Sequence, residues 1–180
     1  MDLGSNRLNS CLDFALAHVD SSLDSWKNVI FMEEQQFALD ASGLVYRCRN
    51  FHSFRRHAVS VLGCITVDGP REFLGWRFAQ PHRPVCCSSA VKYWFESQLK
   101  IRCIPWPSAA EQFLPMKKVW LKVEEELNYR VFDGVNLVED LWSHVSEVWP
   151  KVTNDTTVRN AIFEIPERCA DYVNGHGIVE

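Results

Sequence analysis

The chain has 180 residues, 47% of them hydrophobic and 23% charged, enough for one domain with a substantial core. Its net charge of −4 and pI near 5.9 argue against autonomous DNA binding, since a dedicated DNA-binding domain is usually basic. No apolar run approaches the ~18 residues of a membrane span, and the opening "MDLGSNRLNSC" lacks the basic-then-apolar order of a secretory signal, so an intracellular location is expected.

Residues 7–19 predict a helix, because Leu8, Leu12, Ala15, Leu16 and Val19 recur near helical spacing. Val29 to Met32 form a short run of strand formers that ends at Glu33-Glu34, and ligands commonly bind past the ends of buried strands. "ASG" reads as a turn, "LVYRCR" as a second strand, and "AVSVLGCITV" as a third, closed by the turn "DGP". Residues 88–98 read as a Ser-capped helix, and "KIRCIPW" as a strand stopped by proline. Pro115 opens a helix over 115–127. Asn136 caps the next, whose apolar face is Leu137, Leu141, Trp142, Val145, Val148 and Trp149. Val158, Ile162 and Ile165 mark a short helix before Pro166, and a last one covers about 167–173. The order is α/β with a mixed sheet and a helical tail, in one domain over 1–180.

The seven cysteines, Cys11, Cys48, Cys64, Cys86, Cys87, Cys103 and Cys169, include no C-x-x-C pair. That argues against a zinc ribbon and against a disulfide framework. His18, His144 and His176 are scattered, and no Ser/His/Asp or Cys/His grouping emerges.

Five segments together carry a resemblance. "WKNVIFMEEQQF" is similar to a strand of the form V-I-F-x-D-E-x-x-F, and "VSVLGCITVDGP" to V-x-V-W-G-x-I-x-x-D-G-P. "QPHRPVCCSSAVKYWF" follows Q-D-N-x-P-x-H-x-x-x-x-V-x-x-W-F without a gap. "WPSAAEQFLPMKKVW" follows W-P-x-x-S-P-D-L-N-P-I-E-N-x-W, and the tail matches closing helices with S-M-P-x-R. The chain resembles the catalytic domain of Tc/mariner-type (DDE superfamily) transposases. The resemblance implies an RNase H-like mixed sheet with flanking helices, action on DNA in the nucleus, and two Mg²⁺ ions held by three carboxylates.

The same resemblance assigns the three carboxylate positions to Glu33, Pro81 and Lys117. Glu33 keeps the charge but displaces it by about an ångström, a shift that can cost about 100-fold in rate. Pro81 has no side-chain ligand atom, and the motif's neighbouring asparagine and downstream histidine fall on His82 and Cys86. Lys117 puts a cation where Mg²⁺ needs an anion. Glu34 points to the opposite strand face and Glu111 precedes the helix, so neither rebuilds the site. The expectation is an inactive remnant that needs no cofactor, with Glu33 at most left for a metal.

Two further expectations concern architecture. Only ten residues, Pro70 to Ala79, separate "DG" from Gln80. In the fold expected, strands three and four both run parallel to strand one on opposite sides of it. The link would cross about three strand spacings and return ~17–20 Å, close to the ~36 Å limit of ten extended residues. That leaves no room for the family's intervening helix or a full fourth strand, and would uncover one sheet face. The chain also begins at the catalytic domain, without helix-turn-helix units to read DNA ends. Arg47, Arg49, Arg55 and Arg56, with His52 and His57, form a basic stretch that either touches phosphates or solvates an edge strand. Trp142 and Trp149 belong to the core in one reading, and in the other to an interaction face used for self-association or a protein partner.

Overall fold

The computed structural model describes residues 3–40, 42–48, 58–67, 77–79, 89, 93, 97, 102–104, 106–130, 132 and 137–175. Helix α1 spans Leu3–His18. The strands are β1 (Val29–Leu39), β2 (Val45–Arg47), β3 (Ala58–Ile65), β4 (Arg77–Ala79) and β5 (Arg102–Ile104). Helices α2 (Met116–Leu127), α3 (Leu137–Val152) and α4 (Asp155–Gly175) follow. Ser89, Tyr93 and Ser97 are helical and exposed. The other residues of the helix expected over 88–98, like Asn136 and all of the "DGP" turn, lie outside the described residues.

Helical periodicity sorts the core. On α2 the buried side chains are Met116, Val119, Trp120, Val123 and Leu127, on α3 Leu141, Val145, Val148 and Val152, and on α4 Val158, Ala161, Ile162, Ile165 and Cys169. Each set follows three- and four-residue steps, so one apolar stripe per helix turns inward. Helices α2 and α3 pack on β1 and β3, while α1 packs on α4 and on the 3-10 helix Ser108–Phe113. Asn154 starts α4 by accepting the Thr157 N–H at 2.9 Å, a side-chain N-cap.

Strand β1 is the axis of the sheet. It pairs antiparallel with β3 along Phe31–Ala38 and with β2 over Phe37–Leu39, and parallel with β4 over Val29–Phe31. Strand β5 continues parallel beside β4. β2 and β4 thus share one side of β1, at its two ends, and β3 takes the other side.

Four expectations need correction. β1 does not stop at Glu33-Glu34 but runs on to Leu39, because its polar middle is paired with β3. The third strand is antiparallel to the first, not parallel, and lies directly against it. β3 therefore ends beside Phe31, near where β4 begins beside Val29. The link crosses about two strand spacings, ~10 Å, with no return trip, so length alone does not strain it. Pro115 precedes α2 as its N-cap rather than occupying the first helical position. The two short closing helices are a single helix, α4, with Pro166 inside it. Proline removes an N–H from the helix ladder, and around it Arg168 donates to the carbonyls of Ala161, Glu164 and Gln112 at 3.2–3.3 Å.

Candidate functional site

Side chains alternate across β1, and its inner face presents Phe31, Glu33 and Phe37 to the helices. Phe31 meets Trp106 edge-on at 6.1 Å, and Phe37 meets Trp120 at 5.8 Å. Glu33 lies between these two aromatic contacts. It is 2% exposed, the one buried charged side chain among the described residues, and burying a carboxylate is costly unless other groups compensate it. Glu34, on the other face, is half-buried.

Lys117 sits on the first turn of α2, half-buried, directly after Met116 and one turn before Trp120. The Trp-Pro frame around it is core. Trp106 is 5% exposed and donates its indole N–H to the Ala110 carbonyl at 2.9 Å. Pro115 is buried, and Trp120 is fully buried. Trp149 rests on Trp120 with ring centroids 4.9 Å apart.

Gly63 stands opposite Glu33 in the sheet. A Cβ built there would lie 2.5 and 2.6 Å from two Trp120 ring carbons and 2.6 Å from a Trp149 ring carbon. The residue is therefore glycine so that two indoles can lie against the backbone. Sequence reading registered the glycine but not this contact; glycine inside a strand is the available signal, since it often marks such a close approach.

The basic stretch is described only at Arg47; Arg49, Arg55, Arg56, His52 and His57 lie outside the described residues. Arg47 Nε bonds Glu124 of α2 at 2.6 Å, and the Arg47 amide donates to the other Glu124 oxygen at 2.9 Å. One turn on, Asn128 accepts the Val45 amide at 2.8 Å and donates to the Val45 carbonyl at 3.1 Å. Residues two apart on a strand and four apart on a helix repeat at ~6–7 Å, so the two side chains cap the free edge of β2.

No two-metal centre is assembled among the described residues. Pro81, His82 and Cys86 lie outside the described residues, and the described ones include no group of three potential ligands. Glu33 supplies a single carboxylate, and the Lys117 ammonium has the wrong sign for a cation site. An open groove of about 410 Å³ lined by Gln112, Phe113, Arg168, Asp171 and Tyr172 contains none of the three positions. No described helix is long and apolar enough to cross a membrane.

No protein-family model matches the sequence, and no curated protein matches it either. Solved structures do match, and they are transposases. The fold is similar to that of a transposase catalytic domain, and more specifically to one of the mariner type. The catalytic domain of Mos1 mariner transposase is 12% identical at a TM-score of 0.65, over 94% of this chain and 91% of that one. The Mos1 paired-end complex with Mn is 13% identical at 0.65, over 96% of this chain and 62% of that one. The Mos1 strand transfer complex is 13% identical at 0.59, over 97% and 61%. The chain thus spans about three fifths of the transposase in those complexes and nearly all of the isolated catalytic domain.

Proposed function

We propose that the chain is a remnant of a DNA transposase of the DDE class, RNase H-like in its sheet, that no longer cuts or joins DNA. The observation that carries the reading is Lys117: an ammonium on the first turn of α2, within a chain that matches a mariner catalytic domain almost end to end. Pro81 at the second position and the loss of a helix between β3 and β4 belong to the same reading, as do a nuclear location and residual DNA contact. With the Arg47 guanidinium tied to Glu124, that contact rests on Arg49, Arg55 and Arg56. Replacing Arg55 and Arg56 by Ala should weaken binding to duplex DNA and flatten its salt dependence.

The test is to titrate Mg²⁺ and Mn²⁺ into the purified chain while following heat, beside a cleavage assay on a generic DNA duplex. No heat and no cleavage are expected. Tight metal binding with cleavage would mean that other carboxylates have rebuilt a nuclease site, and the assignments at Glu33, Pro81 and Lys117 would fall.

A second reading, a protein-interaction module on the C-terminal helices, is favoured by Trp142. It is 52% exposed and shares a helix face with Val138, four residues earlier and 40% exposed. Trp149, by contrast, packs against the core. Light scattering of wild type and Trp142→Ala separates the two readings, because a partner face on α3 loses its anchor in the variant.

A further inference from the structure

We infer that the groove between the 3-10 helix Ser108–Phe113 and the C-terminal turns of α4 binds a small carboxylic acid with an apolar body, as its singly charged anion. The groove measures about 410 Å³, within the usual range for a small-molecule site. Neither Glu33 nor Lys117 lines it, so the inference stands or falls independently of the transposase reading.

Arg168 supplies the charge. A guanidinium carries five N–H donors in a fixed fork. Three are used here, on the carbonyls of Glu164 at 3.3 Å and of Gln112 and Ala161 at 3.2 Å. All three acceptors are neutral, which leaves two N–H groups of the five. No carboxylate bonds Arg168 among the described residues. The acid whose charge acts on it is Glu164, and that carboxylate is already taken by Lys118. Burial, the largest influence, holds the Arg168 guanidinium below the ordinary arginine value against the pull of Glu164. The cation is thus short of counter-charge, and a carboxylate, with two oxygens, matches such a fork.

The walls define the rest of the ligand. Phe113 and Tyr172 line the groove and meet edge-to-face with ring centroids 5.6 Å apart, so an apolar body finds aromatic surface beside the cation. Asp171 also lines the groove, and it is exposed. Its carboxylate repels a second negative charge on the ligand. A phosphate or a diacid is thereby disfavoured, and a monoacid is selected.

Calorimetry of the full chain with 2-naphthoate tests the inference. The acid should bind saturably, and the amide shifts it causes in NMR spectra should concentrate at Gln112, Arg168 and Tyr172. The neutral 2-naphthamide should bind at least about tenfold more weakly, because it makes no charge-assisted bond. Acetate, which has the charge without the apolar body, should give no heat. Asp171→Asn should tighten naphthoate about threefold, and Arg168→Gln should abolish its binding. Arg168 also braces α4, so the comparison of acid with amide on the wild-type chain asks the same question without touching the fold. Equal affinity for acid and amide would overturn the inference. So would an absence of naphthoate binding, or shifts centred elsewhere. Binding that appears only once residues 176–180 are deleted would overturn it too, by giving the groove to the chain's own end.

Discussion

Gly63 of β3 and Trp120 of α2 occupy one another's space: the Cβ that Gly63 lacks would sit 2.5 Å from the Trp120 ring. Glu33 lies opposite Gly63 in the sheet, so the buried carboxylate and this contact share one layer. Gly63→Ala should destabilise the chain by about 1–3 kcal/mol, the usual cost of overpacking a dense core. Trp120→Phe removes two of the three ring carbons that the added methyl would strike, the third belonging to Trp149. The double variant should then lose less stability than the two single losses summed. Urea unfolding of the four proteins measures the coupling.

The edge cap of β2 predicts a local effect. Asn128→Ala leaves the Val45 amide and carbonyl without their side-chain partner, at a cost of about 1–2 kcal/mol. Hydrogen exchange at the Val45 amide should quicken, while α4 amides keep their protection. A uniform loss across the molecule would mean that the cap holds the whole fold and not one edge.

Asp40 ties the β1–β2 turn. Its carboxylate accepts the Ser42 hydroxyl at 2.6 Å, the Ser42 amide at 2.8 Å and the Leu44 amide at 3.0 Å, beside Gly43 at φ 83°. The Ser42 hydroxyl first, and the Leu44 amide next, hold the acid below the ordinary aspartate value. A depressed carboxyl favours the folded state above the unfolded pKa, and that contribution fades as pH falls through the folded one. Wild type should therefore melt above Asp40→Ala at neutral pH, and the gap should close in acid below the usual aspartate range. A gap that persists unchanged through that range would remove the carboxylate from the account.

Burial pushes the Cys169 thiol up to about 11, and the side chain is fully buried between α4 and the core. Burial raises the Cys64 thiol too, but Cys64 is exposed and Cys169 is not, so at pH 8 iodoacetamide should modify Cys64 well before Cys169. Mass spectrometry of peptic fragments gives the order directly.

Restoring charge at one position should not restore a metal site. Lys117→Asp alone leaves Pro81 without a ligand atom, so no heat of Mn²⁺ binding is expected. Glu33→Asp, Pro81→Asp and Lys117→Asp together supply three carboxylates of the kind such a centre needs, and should bind Mn²⁺ measurably. Binding by the single variant would point to carboxylates elsewhere in the chain.

The extents of α1, α2 and α3 were legible to within a few residues at their ends, but the face of α1 was not: Cys11, Phe14 and Ala15 turn inward, while Leu16, counted in the apolar stripe, is 47% exposed. The second half of β1 is hidden in the sequence because Glu33 to Gln36 interrupt its apolar run, and only the pairing with β3 explains their extended form. The direction of β3 was not legible at all, because an alternating apolar strand carries no residue signal of the polarity in which it pairs; its place was left by β2 and β4, which share the other edge of β1. The continuity of α4 through Pro166 was not legible, because proline is a strong stop signal in sequence while the packing of Ile162, Ile165 and Cys169 in the core spans it. At the candidate site the residue types at 33, 81 and 117 could be read directly. The depth of Glu33 and the reason for Gly63 required the third dimension.

The indole of Trp106, clasped by the Ala110 carbonyl and ringed by Phe14, Trp26 and Phe31, has a lesson for anyone searching genomes. A pattern built on Trp106, Pro107, Pro115 and Trp120 selects for a well-filled interior, because those side chains hold the scaffold and none supplies a carboxylate. Such a query retrieves sound architecture, and nothing in it reads the chemistry that the architecture carries.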